Sequence, residues 1–146
     1  MGSSLRRLAL AAGAALLCAG AAAAPAVAEI GPPAATWGEK TGIGPDACPE
    51  NTYCLFDHAD FNKDVPNGGK IWYFTGTFKS LPVGHDAAAS IYNNTDGTVS
   101  VFRDWLHSTT QCLTLPPFSV HRDLRVLDIA DSISSTSTLP SLSCRS

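Results

Sequence analysis

The chain has 146 residues, with ten Lys/Arg against thirteen Asp/Glu for a formal net charge of −3. That length suits a single domain. A mildly acidic balance without clustered Lys/Arg argues against nucleic acid and anionic membrane surfaces as partners.

Arg6 and Arg7 precede an Ala/Leu-rich stretch from Leu8 to Ala24, and Ala26-Val27-Ala28 gives a small-x-small pattern before Glu29. This pattern predicts a secretory signal peptide over residues 1–28, cleaved after Ala28. The stretch is too short and too Ala-rich for the roughly 20 strongly apolar residues of a membrane span. Leu17, just before Cys18, lacks the small side chain of a lipoprotein cleavage site, so no lipid anchor is expected. Loss of Arg6 and Arg7 would leave eight basic and thirteen acidic residues, a net charge of −5. The expectation is a secreted, extracellular, monomeric protein. Residues 29–47 are rich in Gly, Pro, Ala and Thr and read as an extended or mobile arm. The domain then occupies residues 48–146.

Of five cysteines, Cys18 leaves with the signal, and Cys48, Cys54, Cys112 and Cys144 remain. Four thiols in an oxidising compartment suggest two disulfides with three possible pairings. Cys48–Cys54 with Cys112–Cys144 is favoured, because the first pair is close in sequence. The second would close a loop of about 30 residues and contribute about 3–4 kcal/mol. Zinc is disfavoured, since no Cys-x-x-Cys or paired Cys/His spacing occurs.

The apolar runs of the domain are short, rich in β-branched and aromatic residues, and bounded by turn formers, which predicts strands. They fall at Tyr53–Phe56, Lys70–Thr75, Ser90–Tyr92, Val99–Phe102, Cys112–Leu115 and near Ile133–Thr136. Pro66-Asn67-Gly68-Gly69 and Asn93-Asn94-Thr95-Asp96-Gly97 read as tight turns. The pattern also repeats. Phe56 and Phe102 open two copies 46 residues apart, and Asp86 and Asp131 close them 45 apart, each followed four residues later by Ser. One supersecondary unit per copy is the expected meaning. Six or more strands need two packed sheets to keep their apolar faces dry. Trp72, Phe74, Ile91, Val101, Phe102, Leu113 and Leu115 are the expected core. The fold class is all-β: a sandwich of two Greek keys, one over about 48–94 and one over about 95–146.

Cys48-Pro49-Glu50-Asn51-Thr52-Tyr53-Cys54-Leu55-Phe56, then Phe61, then Asp86-Ala87-Ala88-Ala89-Ser90-Ile91-Tyr92-Asn93-Asn94, resembles the actinobacterial secreted proteins of peptidase inhibitor family I36. That family is related to the Streptomyces metalloproteinase inhibitor and resembles βγ-crystallin Greek keys. The likeness runs from about Cys48 to Ser135. Lys63 replaces the glycine usual two residues after the second aromatic. In the second copy His107 stands at the aromatic position and Thr109 at the glycine. The resemblance implies a βγ-crystallin-like sandwich, no enzymatic activity, and an extracellular peptidase, most of all a metallopeptidase, as partner.

Microbial βγ-crystallins hold calcium through Asn/Asp-Asn/Asp-x-x-Ser/Thr-Ser, and Ca²⁺ takes six to eight oxygens. The matching segments here are His85–Ser90 and Ala130–Ser135, with Asp86, Ser90, Asp131 and Ser134 as candidate ligands. Both lack the first acidic or amide position, and Ala89 lacks the hydroxyl. Local bonding of Asp86 and Ser90, and of Asp131 and Ser135, to the hairpin backbone is therefore the favoured reading, with no cofactor or at most weak calcium. His58, His85, His107 and His121 form no cluster. No Gly-x-Ser-x-Gly elbow or His-Glu-x-x-His motif accompanies them, so they read as surface histidines. Asn93-Asn94-Thr95 fits a glycosylation acceptor but reads better as a turn tip. Trp37 and Trp105 are candidates for exposed aromatics. For inhibition, the first candidate is Leu115-Pro116-Pro117-Phe118-Ser119, stiffened by two prolines, and the second is the Asn62–Gly69 loop. The rival function is a structural or calcium-responsive crystallin-like module without a protease target.

Overall fold

The computed structural model describes residues 34–107 and 111–144. The signal-peptide segment, Cys18 and Thr109 lie outside them. Eight strands form two antiparallel sheets. They are β1 (Thr36–Gly42), β2 (Thr52–Phe56), β3 (Gly69–Thr75), β4 (Ser90–Asn94), β5 (Val99–Phe102), β6 (Cys112–Leu115), β7 (Val120–His121) and β8 (Ser135–Ser137). The larger sheet runs β1-β3-β2-β4-β7 and the smaller β6-β5-β8. Each half lends a piece to the other sheet. β7 pairs with β4 through Ile91 opposite His121, and Phe78 bridges Thr136 beside β8. The two Greek keys thus interlock instead of merely stacking.

β2 is buried at every position because both its faces are covered. Tyr53 and Leu55 face the inter-sheet core with Trp72, Phe74, Ile91, Val99, Val101, Leu115, Leu124, Ile129 and Ile133. Cys54 and Phe56 face a smaller cluster with Cys48, Phe61 and Ile71. Each fully buried large apolar side chain contributes about 1.5–3 kcal/mol, so this second cluster is a substantial brace. Leu113 is only half-buried, against the edge of the main core.

Residues 36–42, assigned from composition to an arm outside the domain, instead form the edge strand β1. It pairs with β3 at seven positions, from Thr36 opposite Thr75 to Gly42 opposite Gly69. Its side chains are mostly exposed, so it carries no alternation of apolar and polar residues by which a strand could be read. Backbone pairing holds it, and Gly38 leaves room for the Tyr73 ring lying across it.

Both expected disulfides form: Cys48–Cys54, with Cα atoms 5.9 Å apart, and Cys112–Cys144, at 5.8 Å. The first closes the turn entering β2. The second ties the C-terminal segment to β6.

The internal repeat is a set of matching backbone locks. Ser90 Oγ donates to His58 O at 2.7 Å and accepts from Phe61 N–H at 3.1 Å. Ser135 Oγ donates to Asp104 O at 2.7 Å and accepts from His107 N–H at 3.1 Å. Phe61 packs edge-on to Phe56 at 5.3 Å, and His107 edge-on to Phe102 at 5.2 Å. His107 therefore fills the aromatic position of the second hairpin.

Candidate functional site

The β6–β7 turn presents the first candidate loop. Leu115 is buried at its base, while Pro116 and Pro117 are exposed and Ser119 is half-buried. Phe118 stands 62% exposed at the tip, with a left-handed φ of 51°. Such a φ is uncommon for a bulky side chain and signals a backbone held in place by its surroundings.

The holding group is Asn93, fully buried in β4. Its Nδ2 donates to Leu115 O at 3.2 Å, Pro116 O at 2.9 Å and Gly97 O at 2.8 Å. Its Oδ1 accepts from Thr95 N–H at 3.1 Å and Thr95 Oγ1 at 2.7 Å. Its backbone N–H donates to Ser119 O at 2.9 Å. Phe118 N–H adds a bond to Thr95 O at 3.3 Å, and Ser119 Oγ one to Pro116 O at 2.6 Å. One buried amide thereby fixes two neighbouring turns. It was visible in the sequence only as part of the Asn-rich stretch, since nothing in a lone Asn announces burial. Asn93 and Asn94 belong to β4, so the turn tip is Thr95–Gly97, and the acceptor Asn93 is out of reach of glycosylation.

Beside this turn lies a cleft of about 390 Å³, whose lining includes Asn51, Tyr53, Thr95, Thr98, Thr138 and Leu139. The Tyr53, Thr95 and Thr138 hydroxyls are already engaged. Tyr53 Oη donates to Gly76 O at 3.1 Å and shares a hydrogen with Thr136 Oγ1 at 2.5 Å. Burial pushes the Tyr53 phenol well above its usual range, with the Thr136 bond opposing. A phenol kept neutral here is a structural strut.

The second candidate loop is a mixture. Asn62 is fully buried and bonds Gly42 O, Lys70 O and His58 N–H, so it serves the hairpin and not the surface. Only Lys63, Asp64, Pro66 and Asn67 are exposed. Trp105 and Leu106 protrude from the second hairpin at 67% and 73% exposure, and Trp37 is 47% exposed on β1.

The candidate calcium ligands are spread over two adjoining loops. Asp86 N–H donates to Ile133 O at 3.4 Å, and Asp131 N–H to Ala88 O at 3.0 Å. Asp86 and Asp131 both take left-handed φ, 55° and 52°. The Ser90 hydroxyl is committed to its hairpin lock, Ser134 Oγ donates to Ser132 O at 3.3 Å, and the Asp86 carboxylate pairs with His85 at 3.2 Å. Among the described residues, no group of three or more His, Cys, Asp or Glu is arranged to hold a metal ion.

The sequence matches the model of peptidase inhibitor family I36 over residues 43–112. No curated protein matches it. Among solved structures, one from work on the evolution of the eye lens βγ-crystallin domain fold is similar at 19% identity and a TM-score of 0.56, covering 70% of this chain and 95% of that one. A βγ-crystallin from Ciona intestinalis is 25% identical, covering 60% of this chain and 99% of its own, at a TM-score of 0.49. Spherulin 3a from Physarum polycephalum is 21% identical, covering 72% and 95%, at 0.47. Over residues 43–112 the chain is therefore similar to peptidase inhibitor family I36, and its fold is that of the βγ-crystallin domains.

Proposed function

We propose that the protein is secreted and inhibits an extracellular metallopeptidase, docking the Leu115–Ser119 turn in the enzyme's cleft. The observation that carries this reading is the buttressed tip: an exposed apolar turn held from beneath by the buried Asn93 amide. A turn already ordered before binding loses little further entropy on docking. Two disulfides suit an oxidising extracellular setting. The test is titration of the purified exported protein against thermolysin-like and subtilisin-like peptidases. Inhibition at or below micromolar concentration of the first class supports the reading; no inhibition of either class removes it.

A crystallin-like, calcium-responsive module without a protease target is the second reading. One observation favours it: Ser132 Oγ is buried beside Asp131 without a protein hydrogen bond. Calorimetric titration with Ca²⁺ separates the two.

A further inference from the structure

We propose that Phe118 is the anchor of this turn and that it plugs a deep apolar pocket of the peptidase in a backbone shape no substrate adopts, so that the inhibitor is not cut there. The inference rests on the inhibitor reading and adds what the turn binds and how.

A peptide lying in a protease cleft as a substrate runs extended, with φ near the β region. Phe118 sits at φ 51°, where the chain reverses. Straightening it would break the bond from Phe118 N–H to Thr95 O and the bond from Ser119 Oγ to Pro116 O. It would also pull Leu115 O and Pro116 O away from Asn93, leaving the Nδ2 of a fully buried amide with Gly97 O alone of its three acceptors. Those linked losses hold the turn closed. Upstream, Pro116 and Pro117 have no N–H to offer a cleft edge, so strand-like docking fails on that side as well.

What the turn does offer is one large ring. Phe118 is 62% exposed at the tip, and Val120, 43% exposed, follows two residues on. No Lys, Arg, Asp or Glu lies between Leu115 and Val120. The matching enzyme therefore has an apolar pocket of aromatic size, and enzymes selecting Lys or Arg are the wrong class. Thr95, which receives the Phe118 N–H, also lines the adjoining cleft, so a knob and a hollow sit together. Trp105 and Leu106 are exposed to a similar degree but lie in the other hairpin, and they provide the control.

The experiment measures inhibition of a thermolysin-like peptidase and of trypsin by the wild type, Phe118→Gly and Trp105→Ala, with melting curves for each. Glycine removes the ring but accepts positive φ, so the melting temperature should hold. Phe118→Gly should weaken inhibition of the thermolysin-like enzyme by about 30-fold or more, as for an interface hot spot. Trp105→Ala should stay within about threefold of wild type, the range of contacts outside such a hot spot. Mass spectrometry after long equimolar incubation should find the 115–120 segment intact. Unchanged inhibition by Phe118→Gly, cleavage between Pro117 and Ser119, or inhibition confined to trypsin each overturns this inference while leaving an inhibitor. A wild type that inhibits neither enzyme overturns both this inference and the reading beneath it.

Discussion

The hairpins following β2 and β5 are built on one lock and finished differently. In both, a Ser hydroxyl from the strand that closes the repeat bridges a carbonyl and an N–H of the hairpin with near-identical geometry. The first hairpin then buries Phe61 completely, with Arg122 over its ring and paired to Asp60, and Asn62 bonded beneath. The second puts half-buried His107 at the same place, bonds its Nε2 to Thr136 O at 3.0 Å, and leaves Trp105 and Leu106 in solvent. The backbone lock is therefore separable from the apolar plug. A hairpin relieved of its plug can present large side chains outward, while the disulfide to Cys144 steadies the strand behind it.

That separation sets the order of expected effects. Phe61→Ala removes a fully buried ring from the small cluster and should destabilise by about 3–5 kcal/mol. His107→Ala, at a half-exposed position, should lose about 1–2 kcal/mol, in the range of a typical point substitution. Denaturant melts of the two variants measure the difference directly. Equal losses would mean that the second hairpin is plugged as firmly as the first.

The disulfides divide the molecule in the same way. Removing Cys112–Cys144, which spans 32 residues, should destabilise by about 3–4 kcal/mol, and removing Cys48–Cys54, which spans 6, by about 2 kcal/mol. Paired Cys→Ser variants and non-reducing peptide mapping test both the connectivity and the ranking.

Ser90→Ala and Ser135→Ala probe the shared lock. Each leaves a part-buried carbonyl and a hairpin N–H without their bridge, and each should lose about 1 kcal/mol. The informative result is their near equality. A loss confined to Ser90→Ala would show that the second hairpin is held by the disulfide and not by its serine.

Tyr53 gives a pH test that belongs to the junction of the halves, because its hydroxyl reaches Thr136 of β8 from β2. Its folded pKa lies above the unfolded value of 10.0. The folded state thus keeps a proton that the unfolded chain releases, and the stabilisation is complete below pH 10 and lost as pH rises beyond it. Tyr53→Phe should be less stable at neutral pH by about 1 kcal/mol for the lost hydrogen bonds. It should also show a shallower fall above pH 10 than the wild type. Parallel alkaline slopes would remove Tyr53 as the cause.

The six expected strands were legible because apolar side chains, β-branched residues and turn formers all mark a strand with a covered face. β1 carries no such mark, since an exposed edge strand held by main-chain bonds asks little of its side chains. β7 is two residues long and is defined by its partner Ile91-Tyr92, a long-range pairing that local pattern does not encode. At the candidate site, the two prolines mark an exposed turn, as expected of them. The amide that stiffens it lies 22 residues away from Leu115 along the chain, and only the fold brings it there. The Ser90 and Ser135 locks were foreseen as local ties, although their partners proved to be in the hairpin before the strand and not in the loop itself.

The smallest expected effect is that of calcium, and it sharpens the contrast between the halves. In the first copy, Asp86 is paired with His85, Ser90 is used in the lock, and Ala87–Ala89 can add only backbone oxygens. In the second, Asp131 is exposed and the Ser132 hydroxyl has no partner among the described residues, so any cation should settle there. With one carboxylate and one spare hydroxyl against a need for six to eight oxygens, a Kd weaker than about 1 mM is expected. At 1 mM Ca²⁺ the native state would then gain less than about 0.4 kcal/mol, a barely measurable shift in melting temperature. Asp131→Asn should abolish even that, and Asp86→Asn should not. Tight binding at two equivalent sites would show instead that the loops rearrange around the ion, and that the paired serines can leave their hairpins to reach it.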